Sequence, residues 1–145
     1  MNVVSINKGT DALLKVPAAP AYLSADGKKE YLKMGAILAK AQLLKEKFLP
    51  ALEVYAEAKS QWNFAVTEIK RKNAKKIGEG YIQTYKSGAK NVSVEVTLRN
   101  DAEASLLKCF KIFGLDPKSE KELKSSTDPG QLDLFEQLMK IKNAK

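Results

Sequence analysis

From Phe48 to Ile69 the chain reads FLPALEVYAEAKSQWNFAVTEI. Within it Phe48, Leu52, Tyr55, Lys59, Trp62, Val66 and Ile69 follow one another in alternating steps of four and three. Residues so spaced share one face of an α-helix, and a stripe of that length cannot be left in water. The spacing therefore predicts a long helix beginning near Lys47. Pro50 falls in its first turn, where a missing backbone N–H costs nothing. Lys59 interrupts the stripe. Two uses fit it: a heptad-like seam for antiparallel or subunit packing, or an ordinary core-facing stripe.

Two further helical stretches flank this one. Ser24 can cap a first helix running from Ala25 to about Gln42, with Tyr31, Met34, Leu38 and Ala41 on one face. A third begins near Val92 or Ser93 and ends at Phe113, with Leu98, Ala102, Leu106, Phe110 and Phe113 as its apolar face. Cys109 beside that face reads as a small core residue, since no activating neighbour argues for a reactive thiol. Between the second and third helices, Tyr81, Ile82, Thr84 and Tyr85 favour β structure and KSGAKN is a turn, so a small hairpin or loop is expected near 80–91. Gly114 can close the third helix in the left-handed conformation. Asp116 and Pro117 then open a short fourth helix. The expected fold is mainly α. It divides into a flexible N-terminal segment 1–16, a helical domain 17–124, a linker 125–130 and an amphipathic tail helix 131–145.

The 145 residues contain one cysteine and no histidine. A Cys-rich zinc site is therefore excluded, and the commonest acid–base residue near neutral pH is missing. No Gly-rich phosphate loop, nucleophile elbow or paired-carboxylate motif is present. No catalytic residue, cofactor or metal is expected, and the chain reads as a non-enzyme. Met1 to Val16 is polar and lacks a signal-peptide pattern. No stretch approaches the ~20 apolar residues of a membrane span. A cytoplasmic location is expected, without membrane association.

The net charge is +8, which suggests a polyanionic partner. Its distribution points to a place. Lys70, Arg71, Lys72, Lys75 and Lys76 fall within seven positions at the end of the second helix. Charges there complement the helix dipole, but five exceed what capping requires. They are the first candidates for contact with double-stranded DNA. Lys28, Lys29 and Lys33 on the first helix are the second.

The corner FGLDPKSEKEL resembles the C-terminal signature of phage terminase small subunits, found in tailed phages and prophages. Phe113, Gly114, Leu115, Pro117 and Ser119 match that signature, while Glu120 and Lys121 stand where arginine is usual. PAAPAYLSADGKKEY resembles the family's Pro-rich lead and first helix, and FLPALEVYAEAKSQWNFAVTEI its second helix. GEGYIQTYKSGAKNVSV resembles its connecting segment, with Asn91-Val92 in place of a frequent Asn-Pro. The resemblance runs from about Pro17 to Leu123. It implies a ring-forming homo-oligomer that binds viral DNA and recruits or regulates the large terminase subunit, which carries the ATPase and nuclease.

Two rival readings come from other classes. A helical DNA-binding transcriptional regulator would use the Gly114 corner, but the mixed charges after Asp116 suit base readout poorly. A small nuclease would need clustered carboxylates, whereas the acids are dispersed among lysines. In the tail, Leu132, Phe135, Leu138 and Ile141 share one helical face, which suits docking on a ring or on the large subunit. A sharper reading is that Gln131-Leu132-Asp133-Leu134-Phe135 resembles the pentapeptide by which bacterial proteins bind the DNA polymerase sliding clamp. Gln131, Leu132, Leu134, Phe135 and Leu138 are the candidate partner-binding residues.

Overall fold

The computed structural model describes residues 6–7, 9–118 and 121. The chain forms two units, Met1–Phe113 and Gly114–Lys145. The first is mainly helical: α1 (Ala25–Lys40), α2 (Leu49–Lys75) and α3 (Val94–Phe113). It also carries two small antiparallel hairpins. One joins β1 (Ile6–Asn7) to β2 (Ala12–Leu13), and the other joins β3 (Ile82–Thr84) to β4 (Lys90–Val92).

Each helix starts where its first turn can be satisfied. At α1 the Ser24 hydroxyl accepts from the Gly27 amide at 2.9 Å, and the Ser24 amide donates to Glu57 of α2 at 2.6 Å. A carboxylate thus sits at the positive end of α1. Gly27 lets it approach, because a Cβ there would collide with the Glu57 carboxylate. A 3-10 turn, Glu46–Phe48, leads into α2, with Pro50 in the first helical turn. Ser93 caps α3 by accepting from the Val96 amide at 3.2 Å.

Helices α2 and α3 run antiparallel. Lys72 meets Glu95 at one end, while Tyr55 meets Phe110 and Phe113 at the other, with ring centroids 5.9 and 6.2 Å apart. The core gathers Tyr31 and Leu38 of α1, Leu52, Tyr55 and Ala56 of α2, and Leu106, Cys109 and Phe113 of α3. Farther along, Ala65 and Ala102 are buried, and such small side chains allow close helix approach. Lys59, which interrupts the α2 stripe, places its ammonium 4.2 Å from the centre of the half-buried Trp62 ring. The charge therefore covers an aromatic face instead of entering the core. Cys109 is buried, its thiol donates to the Ala51 carbonyl at 3.6 Å, and burial pushes its pKa up. A thiol so placed is expected to react with a thiol reagent only as fast as the core opens. Labelling rates measured across a denaturant series should therefore track unfolding.

Within the segment 1–16, expected to be flexible, Ala12 and Leu13 are part of the packed structure. Leu13 is 3% exposed, and its amide donates to the Leu44 carbonyl at 2.7 Å. Gln42, in the left-handed region at φ +58°, turns the chain so that Leu43 and Leu44 both bond back to Leu38. That turn sets Leu44 against β2. At the start of the second unit, Gly114 adopts φ +73° and helical backbone resumes at Pro117 and Lys118. Most of the expected fourth helix, the linker and the tail helix lie outside the described residues.

Candidate nucleic-acid interface

The basic cluster lies at the end of α2, beside the start of α3 and the base of the β3–β4 ribbon. Its five members differ in their partners. Arg71 forms an ion pair with Glu68 one turn back at 2.8 Å, and that hydrogen bond lowers the Glu68 pKa. Lys72 reaches across to Glu95 of α3 at 2.5 Å. Lys70, Lys75 and Lys76 are exposed and make no ion pair among the described residues. Arg71 and Lys75, four residues apart, share one helical face. With Lys72, Glu79, Gln83, Thr84 and Glu95 they line a cleft of about 450 Å3 between helix end and ribbon.

The Lys72–Glu95 pair ties the two helices at this end. The Lys72 hydrogen bond holds the Glu95 carboxyl below its ordinary pKa. A group depressed in the folded state adds stability above its unfolded pKa, and that stability is lost as pH falls through the folded value. Lys72→Met is therefore expected to remove a stabilising contribution at neutral pH and to leave little difference at strong acid. Urea midpoints of both proteins measured from pH 7 down to pH 2 would show the two curves converging.

The ribbon is mounted with care. Asn73 in the last turn of α2 accepts from the amides of Gly78 and Gly80 at 3.2 and 2.8 Å. Buried Ser93 donates its hydroxyl to the Gly80 carbonyl at 2.7 Å, and its amide donates to the Tyr81 carbonyl at 2.9 Å. Register pairs Ile82 with Val92, Gln83 with Asn91 and Thr84 with Lys90. A Cβ on Gly80 would lie 2.5 Å from the Ile69 carbonyl oxygen. Gly80→Ala is thus expected to displace the ribbon base and leave the helices in place. Hydrogen exchange should speed up at Tyr81 and Ser93 and stay slow in the middle of α2.

The second group of candidates stands elsewhere. Lys29 and Lys33 are exposed on one face of α1, and Lys29 lies 3.7 Å from Asp26. Lys29 borders a separate groove with Ser60, Asn63 and Phe64 of α2. Lys28 is half-buried. None of the three lines the cleft at the end of α2. Gln131, Leu132, Leu134, Phe135 and Leu138 lie outside the described residues. Lys86 and Lys90 of the ribbon, outside both groups of candidates, are also exposed. Their signal was available in the turn KSGAKN, where a lysine stands at each side of the tip.

The family model for the phage terminase small subunit matches residues 27–129, more than two thirds of the chain. The chain belongs to the phage terminase small subunit family. It has, in general terms, a role in phage DNA packaging. No curated protein and no solved structure matches it. The terminase match spans all of α2, the ribbon and α3, and it begins two residues inside α1. Among the described residues, no group of three or more His, Cys, Asp or Glu is placed to hold a metal ion. No described helix is long and apolar enough to cross a membrane.

Proposed function

We propose that this terminase small subunit is a non-enzymatic, ring-forming component that binds double-stranded viral DNA and recruits or regulates the large subunit in the host cytoplasm. One observation carries the DNA-binding part. Between Lys70 and Val92 the chain holds seven basic residues and one acid, while the remaining 122 positions hold 18 basic and 16 acidic residues. Six of the eight net positive charges thus gather at one end of the α2–α3 pair. Such a concentration favours the release of counterions from a phosphate backbone, and this makes affinity fall steeply with salt. We assign the tail 131–145, from its apolar periodicity, to partner binding. The large subunit is the first choice of partner and the host sliding clamp the second.

Two measurements test the proposal. Native mass spectrometry is expected to give a closed ring of many copies, whereas a dimer would favour a transcriptional regulator. Binding to a labelled duplex should weaken linearly in log affinity against log salt, with little dependence on sequence. A chain that fails to bind duplex DNA at low salt would overturn the reading.

A further inference from the structure

The β3–β4 ribbon contributes no large side chain to the core. Ile82, Tyr85 and Val92 are about half exposed, and every residue from Thr84 to Val92 is exposed. A two-stranded hairpin is at best marginally stable in water by itself. This one is held at its base by Asn73, Gly80 and Ser93, through the contacts described above. A defined register held so firmly, on an element that buries no large side chain, points to contact with something outside the chain. Its chemistry narrows the choice. Lys86 and Lys90 flank the tip, and Lys75 and Lys76 stand at the α2 end that precedes the ribbon. Gln83 and Asn91 are register partners and so project from one face, with Tyr81 and Tyr85 at alternate positions of the same strand run. Glu79 is the one acid between Lys70 and Val92, and it stands at the base, away from the tip.

We propose that the β3–β4 ribbon enters a groove of duplex DNA, with Lys86 and Lys90 joining Lys75 and Lys76 on the bordering phosphates. This rests on the DNA-binding reading above and moves its centre from the helix end to the ribbon. A major groove, about 12 Å wide, admits a two-stranded β-ribbon. The phosphate contacts fix position, and the Gln83 and Asn91 amides are of the kind that meets base edges. The Asn91 side-chain oxygen already accepts from the Val92 amide at 2.8 Å, which leaves its NH2 group as the free donor.

The test uses the full chain with both tip lysines replaced, Lys86→Ala with Lys90→Ala. Lys108→Ala with Lys111→Ala, at the far end of α3, is the charge-matched control. Duplex affinity is read by anisotropy across a salt series, and subunit number by native mass spectrometry. The tip variant is expected to lose about tenfold or more at low salt. Its salt slope should fall by about 1.8, at ~0.9 per phosphate contact, with subunit number unchanged. The control should match the parent chain. Equal loss in both variants, or none in the tip variant, would overturn the assignment while leaving duplex binding standing. A changed subunit number in the tip variant would also overturn it, because the ribbon would then be a contact between copies. Failure of the unaltered chain to bind duplex would instead remove the reading on which the assignment rests.

Discussion

Replacing Phe113 by alanine is expected to cost about 3–5 kcal/mol of stability, the range for deleting a buried aromatic side chain. Phe113 closes α3 at 1% exposure, and its ring meets Tyr55 of α2 edge-on at 6.2 Å. Truncation removes apolar area from the core and leaves a cavity that Tyr55 and Phe110 can fill only in part. Against a total of roughly 5–15 kcal/mol for a native domain, that is a large share. A melting temperature lower by about 10 °C follows, from the roughly 2–4 °C per kcal/mol typical near this size. Ile77→Ala is the comparison. Ile77 is 95% exposed, so its loss should stay within about 0.5 kcal/mol. Urea unfolding of both variants checks the contrast. A Phe113→Ala protein as stable as the parent would mean that the α2–α3 core does not close on that ring.

The helices were legible because their signals are local. The stripe from Phe48 to Ile69, Pro50 near the start of α2 and Gly114 after the end of α3 each depend on neighbours within a turn or so. The Ile82–Val92 pairing was also within reach, since KSGAKN marks the turn between them. Residues 6–13 were not. Two-residue strands are too short to show a period, and what holds them is the distant Leu13–Leu44 hydrogen bond. The candidate site was legible only as composition. Five charges in seven positions could be counted, but spacing alone could not separate Lys72, committed to Glu95, from Lys75, which faces solvent. Charges on a helix surface choose partners through tertiary geometry, and Glu95 lies 23 residues away in sequence. The ribbon was undervalued for a related reason. A loop's importance depends on what it leaves exposed, and sequence gives little account of that.

This division within the basic cluster decides how its role must be tested. Reversing all five charges would confuse two effects. Lys72→Glu would set two carboxylates against each other beside a Glu95 oxygen that is already buried without a hydrogen-bond partner. Arg71→Glu would likewise oppose Glu68. The first change would unsettle the α2–α3 junction and the second the last turns of α2, whether or not DNA binds there. Lys70, Lys75 and Lys76 are free of such duties. The triple change Lys70→Glu, Lys75→Glu and Lys76→Glu is therefore expected to keep the helical signal in circular dichroism and the unfolding midpoint near those of the parent. Duplex affinity at low salt should fall by about a hundredfold or more, because three attractions become three repulsions. If all three lysines contact phosphates, the slope of log affinity against log salt should flatten by about 2.7. The helix dipole gives a built-in check: negative charge at the α2 C-terminus costs only ~0.3–1 kcal/mol per residue at low salt. A loss of binding matched by a stability loss well above that sum would indict the fold. A loss of binding at nearly unchanged stability would locate the DNA surface at this end of α2.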